Sequence, residues 1–304
     1  MLGCLPFGQL PDGGTIPAMN DNDRNNLFAR ARLCLLLSDP DGKLAAVKAL
    51  YQEWQSGSLS TEAIDLPDVV EAGFPDGIAR VFPRKLPKRS FHTPQGRAAL
   101  IHAVTHIEFS AINLALDAVF RFREMPPAFH DDWLRIAAEE VDHFILLRGR
   151  LRQLGHDYGD FPVHLGLWET ALGTLHDPLV RMAIIPRMLE ARGLDVNPGM
   201  MERFRQVGDE TTAEALTVIL RDEIGHVEAG SRWFHYLCAQ RGLEPEETYF
   251  ELLDRYMKGE VRCPLHKEAR LQAGFSPAEI RRLETLCARP ALTRKIPVPG
   301  GQPT

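Results

Sequence analysis

From residue 93 onward, apolar residues recur at helical spacing, and no stretch alternates with the period of a strand. The spacing predicts a helix over about 94–122, with Leu100, Val104, Ile107, Ala111, Leu114 and Ala118 among its apolar positions. A second runs over about 127–154 through Trp133, Ile136, Phe144, Leu147 and Leu151. A loop at 155–163 leads to helices over 164–173 and 177–192, the latter kinked at Pro186. A short helix over 198–206 precedes a long one over 209–241, which Gly242 closes. Thr93-Pro94, Asp177-Pro178, Asn197-Pro198 and Ser276-Pro277 read as helix starts, each a capping residue followed by proline. Glu279 completes a capping box with Ser276. Shorter helices are expected over 23–37, 42–55, 244–258 and 276–287, and residues 1–22 read as loosely ordered. Residues 65–93, punctuated by Pro67, Pro75, Pro83 and Pro87, read as an extended strap. The expected fold is all-α. Residues 1–92 form N-terminal helices and a wrapping segment. Residues 93–242 form a four-helix bundle with one long crossover, and 243–304 form C-terminal helices and a flexible tail.

Certain acids break the apolar stripes. Glu108 lies four residues after Val104 and three before Ala111. Glu140 lies four after Ile136 and four before Phe144, and Glu223 lies four after Ile219 and four before Val227. His143 and His226 each follow their glutamate at i+3, on the same helix face. Glu190 sits on the kinked helix. A buried, unpaired carboxylate costs several kcal/mol, roughly, so four require cations. Two divalent metals would neutralise four carboxylates, with one imidazole for each metal. The intervals agree: Glu108 to Glu140 spans 32 positions and Glu190 to Glu223 spans 33. Each half is a glutamate, a turn, then Glu-x-x-His on the returning helix, which is the ligand pattern of di-iron and di-manganese bundles. Glu-x-x-His alone is weak, since a chain this rich in Glu and His makes about one by chance. The competing reading pairs these acids with Arg135, Arg187, Arg192 or Arg221 in a purely structural network. Asp222 and Glu139, each next to a ligand glutamate, are placed to take the outer N–H of an imidazole on the opposite helix, with Arg192 and Arg221 balancing them. Oxygen and imidazole donors without cysteine suit iron first, and manganese or a mixed pair second.

Composition adds bounds. The 35 Lys and Arg against 41 Asp and Glu give a net charge of −6, which disfavours bulk electrostatic grip on nucleic acid. A local basic run, Arg80, Arg84, Lys85, Lys88 and Arg89, lies on the strap. The five cysteines are scattered and odd in number, which argues against a disulfide framework and for a reducing compartment. With no signal-like start and no long uncharged apolar run, a soluble cytoplasmic protein without membrane contact is expected. His102 and His106 point away from the face of Glu108 and read as core histidines. Trp133, Trp168, Trp233, Tyr158 and Tyr236 read as packing. No phosphate loop, nucleophile elbow or dinucleotide fingerprint occurs.

The stretches HAVTHIEFSAINLALDAVFRF (102–122), DDWLRIAAEEVDHFILLRGRLRQLGHDYGDFPVH (131–164), DPLVRMAIIPRMLEARGLDVNPGM (177–200) and ILRDEIGHVEAGSRWFHYLC (219–238) resemble the ferritin-like superfamily. Within it they are similar to a bacterial family catalogued as domain of unknown function 455. The resemblance implies a ferritin-like bundle with Glu108, Glu140, His143, Glu190, Glu223 and His226 as metal ligands, Glu140 and Glu223 bridging. The superfamily's relatives include oxygenases, a tRNA hydroxylase, oxidases and ferroxidases, so the substrate stays open. The expected activity is an oxygen- or peroxide-using oxidoreductase acting on an organic molecule with an external electron donor. The alternatives are a tRNA or nucleic-acid base hydroxylase gripping through residues 80–89, and a ferroxidase or storage protein. Oligomeric state is left open, a homodimer being one option.

Overall fold

The computed structural model describes residues 21–258 and 261–287. Most of the loosely ordered start and the C-terminal tail expected from the sequence lie outside the described residues. The chain folds as α1 (Asp21–Arg24), α2 (Leu27–Leu36), α3 (Pro40–Gln55), α4 (Pro94–Arg121), α5 (Pro127–Gln153), α6 (Gly166–Gly173) and α7 (Pro178–Ile184). A π-helical turn, Ile185–Glu190, then runs into α8 (Ala191–Gln206). After it come α9 (Glu210–Arg241), α10 (Pro245–Met257), α11 (Lys267–Gln272) and α12 (Pro277–Cys287). The protein is all-helical. Among the described residues, strand-like pairing is limited to the isolated bridges Asn26–Ser60 and Arg80–Val163.

The helix starts follow from their caps. Thr93 Oγ1 accepts from Gly96 N at 3.1 Å, Asp177 Oδ1 from Leu179 N at 2.8 Å and Asp209 Oδ1 from Thr212 N at 3.1 Å. Ser276 and Glu279 form a reciprocal box at 3.0 and 2.7 Å. Asn197-Pro198 starts nothing: Pro198 lies inside α8. The ring forfeits one backbone bond, but burial of Leu194, Asn197 and Phe204 keeps the helix continuous. Pro186 likewise makes no simple kink. Lacking an N–H to return to residue 182, it sits in the π turn, where the helix widens. Gly230 on α9 makes room for it, because a Cβ there would lie 2.3 Å from Pro186 Cβ.

Helix α4 packs along α5, α8 along α9, and α5 against α9, so these long helices share one interior. The N-terminal helices lie outside them, α2 on α4 and α3 on α5, and α10 and α11 pack on α7, α8 and α9. A single apolar cluster reaches from Leu27 to Leu283. Residues 65–93 wrap the exterior. Their carbonyls at Val69 and Val70 accept from Arg121 Nη2 (2.8 Å) and Trp168 Nε1 (2.9 Å). Among the described residues one helix, Pro94–Arg121, is long and apolar enough to cross a membrane, but it is mostly buried within the protein. Its apolarity serves the core.

One expectation fails outright. Cys263 and Cys287 form a disulfide, their Cα atoms 5.5 Å apart. They are 24 residues apart in sequence, and the intervening α11 and α12 fold back to bring them together. Cys34 and Cys238 are free and buried. Cysteine spacing therefore gives no argument for a reducing compartment.

Candidate metal centre

Three of the interior helices, α4, α5 and α9, deliver acid to one place. Glu108 comes from α4, Glu140 and His143 from α5, and Glu223 and His226 from α9. The i, i+3 spacing of each Glu/His pair puts both side chains on the inward face. Glu108, Glu140, His143 and Glu223 each present a ligand atom, and these atoms lie within 4.8 Å of one another. His226 adjoins them, its Nδ1 3.0 Å from Glu140 Oε1 and 3.7 Å from Glu223 Oε2. His143 Nδ1 lies 3.2 Å from Glu140 Oε2 and 3.5 Å from Glu108 Oε2. Glu190, at the end of the π turn, stands outside the tight group. It lines the same cavity as Glu108 and Glu223.

The outer nitrogens are also fixed. His143 Nε2 lies 3.2 Å from Asp222 Oδ2, and His226 Nε2 lies 2.8 Å from Glu139 Oε2. The pattern is crossed: the α5 imidazole meets an α9 acid and the α9 imidazole an α5 acid. When each Nε2–H donates outward, each Nδ1 keeps its lone pair for the interior. Arg135 holds Glu139 at 2.8 and 2.9 Å, and Arg221 Nε holds Asp222 at 2.9 Å. Arg192 does not join them. Its guanidinium donates to the carbonyls of Arg262 (2.9 Å), Cys263 (3.4 Å) and Pro264 (3.0 Å). Residues 262–264 dock against α8 and take up the charge that sequence spacing had assigned to the outer acids.

The electrostatics are those of a site short of cations. Burial, then the neighbouring Glu140, pushes Glu108 well above the usual carboxylate range. Burial, Glu223 and Glu140 push Glu190 up to about 8, and burial and Glu140 raise Glu223. Glu140 is the exception: burial opposes its charge, but the imidazoles of His143 and His226 beside it hold it low. Against the cost of burial, Glu108 and Glu140 raise His143 to about 11, and Glu139, Glu140 and Glu223 raise His226. Four buried polar atoms here have no hydrogen-bond partner among the described residues: Glu108 Oε2, Glu190 Oε2, Glu223 Oε2 and His226 Nδ1. Orphaned acceptors facing one another are what a cation would satisfy. The donor set, carboxylate oxygens with imidazole nitrogen, fits a hard or borderline divalent metal. This buried cluster can hold a metal ion.

The cavity that reaches Glu108, Glu190 and Glu223 has a volume of about 360 Å³, within the usual range of small-molecule sites. Its walls are mostly apolar, with Val104, Leu114, Leu167, Leu189 and Ile219 among them. Arg89, His164, Arg192 and Arg262 line it as well. The sequence pattern carries no signal for Arg262, which reaches the cavity only because segment 262–264 docks on Arg192. His102 lies elsewhere in the core, while His106 lines this cavity outside the carboxylate cluster. His102 Nε2 accepts from Gly159 N at 2.9 Å, and His106 Nδ1 pairs with Tyr158 Oη at 2.8 Å. Trp133, Trp168 and Trp233 are buried packing residues.

No solved structure matches the chain. It is 43% identical over 264 residues to an uncharacterized protein of Haemophilus influenzae, covering 83% of this chain and 92% of that relative. The profile of a family described as protein of unknown function (DUF455) matches residues 36–281. With most of its length matched on both counts, the chain belongs to that family.

Proposed function

We propose that this protein is a ferritin-like di-metal carboxylate oxidoreductase that uses oxygen or peroxide to oxidise a small organic substrate. The observation that carries the reading is the orphaned carboxylate and imidazole cluster opening onto an apolar cavity. Two helix pairs, α4 with α5 and the π turn and α8 with α9, each give a glutamate and then Glu-x-x-His, which supports the ferritin-like assignment. Glu108, Glu140 and His143 would hold one ion, and Glu190, Glu223 and His226 the other. Iron is the first choice of metal, with manganese or a mixed pair second. The metals, when bound, supply redox chemistry with oxygen, and an external donor supplies the electrons. The protein's own residues do the rest. Glu139 and Asp222 fix the imidazole tautomers, and the apolar walls exclude water and hold the substrate beside the carboxylates.

The test is metal analysis of protein purified after iron-replete expression, followed by reaction of the reduced protein with oxygen. About two metals per chain are expected, with Glu140→Ala and His226→Ala losing metal while helix content survives. Well under one metal per chain, or variants that load as well as the parent, sinks the reading. Metal oxidation that never consumes an organic substrate would leave a ferroxidase.

A second reading, nucleic-acid base hydroxylation, draws on the exposed Arg84, Lys85, Lys88 and Arg89 and on Phe82, 68% exposed beside Arg84. No RNA binding by the intact protein at low salt removes it.

A further inference from the structure

The cavity is electrically asymmetric. Its buried part carries Glu108 and Glu223, 2% and 7% exposed, together with Glu190. Its solvent-facing part carries Arg89 and Arg262, both exposed. Neither guanidinium has a hydrogen-bonded or ion-paired partner among the described residues. By contrast, Arg192 is occupied by the carbonyls of residues 262–264 and lies 3.5 Å from Asp195. Arg192 therefore acts as a positioning residue that holds Arg262 at the rim. The rest of the lining is mostly apolar, and its polar side chains there, His106, Ser110, His164 and Asn197, include no acid.

We infer that the cavity takes an amphipathic anion: a molecule with a carboxylate or phosphate head at Arg89 and Arg262 and an apolar body reaching inward to Glu108, Glu190 and Glu223. Only one orientation is allowed. A head group placed at the carboxylate end would meet like charge and lose its hydration, whereas at the rim it stays partly solvated and meets two cations. The apolar body then covers the walls, and its far end, which carries no charge, is the part presented to the metal centre. A cationic head group would meet like charge at the rim. A nucleic acid would find the rim cations but would have to place a polar base against Val104, Leu114 and Ile219. This assignment of substrate class rests on the function proposed above.

Binding to metal-free protein tests it independently of turnover. The probes are ten-carbon chains that differ only in the head: decanoate, decyl phosphate and 1-decanol, titrated by calorimetry. Decanoate or decyl phosphate should bind more tightly than decanol. The tighter of the two anions identifies the head group. The double substitution Arg89→Gln with Arg262→Gln should weaken anion binding about tenfold and leave decanol binding unchanged. Helix content and metal loading, measured on the same samples, confirm that the variant is folded. Equal affinity for decanoate and decanol, or an anion preference that survives the double substitution, overturns the inference. So does RNA binding through these arginines without any binding of the decyl anions. Metal content separates the two claims: a protein that loads metal but ignores anions fails here only, and one that loads no metal fails the functional reading.

Discussion

Two kinds of buried acid lie within this interior, and they are neutralised in opposite ways. Asp117, Asp195 and Glu279 are 1%, 5% and 2% exposed, as deep as Glu108 and Glu140 at 2% and 1%. Each of the first three meets an arginine: Asp117 with Arg181 at 2.6 Å, Asp195 with Arg270 at 2.8 Å and Glu279 with Arg187 at 2.8 Å. Those pairs tie elements together, and Arg187 also lies against the rings of Phe234, Tyr249 and Phe275. Among the described residues, none of Glu108, Glu140, Glu190 and Glu223 is ion-paired with an arginine. They meet histidines or each other, and three of them keep an oxygen with no hydrogen-bond partner. Burial alone does not distinguish a structural acid from a ligand. The identity of the countercharge does.

This contrast can be broken most severely at Arg187. Replacing it with alanine strands Glu279 and should cost about 3–5 kcal/mol in urea unfolding, with or without metal present. The metal centre should respond in the opposite sense. Adding metal to about a hundredfold over its dissociation constant should stabilise the parent by about 2.7 kcal/mol. Glu108→Gln should abolish that gain while leaving the metal-free protein as stable or more so, because a raised carboxylate is being neutralised. If Glu108→Gln destabilises the metal-free form as strongly as the Arg187 variant does, the two classes of acid are not distinct. Glu139→Gln, which frees His226 Nε2, should lower metal affinity about 10- to 100-fold by competition with a chelator.

A subtler effect lies in pH. Glu190 binds its proton more tightly folded than unfolded, so its contribution is fully present below about 4.5 and is lost as pH rises through about 8. Metal-free protein should therefore lose stability across that window, and Glu190→Gln should flatten the slope between pH 5 and 8. An unchanged slope would mean that Glu190 is not buried against Glu223 and Glu140.

What could be read in advance followed from helical arithmetic. Glu108, Glu140, His143, Glu223 and His226 sit on continuous helices, where three- and four-residue steps decide the face. The crossed contacts of Asp222 and Glu139 follow from the same steps on neighbouring helices. Glu190 was harder, because a π turn adds a residue to the local count and its angular position cannot be read from a 3.6-residue period. Arg192, Arg262 and the Cys263–Cys287 bond depend on how segment 261–264 and α12 dock. Docking is decided by packing between distant parts of the chain, which leaves no local periodic trace.

The contact between Gly230 and Pro186 sets a rule for anyone who would stabilise this protein by design. Exchanging a helix-interior glycine for alanine ordinarily gains about 1 kcal/mol, and exposed Gly149, with nothing within 4 Å of its missing Cβ, is a suitable place. At Gly230 the same exchange would drive a methyl group into Pro186 and push on the turn that ends at Glu190. A thermostability screen that scores folding alone could accept compensating shifts there, and the variant would be recovered stable but with its fourth carboxylate displaced.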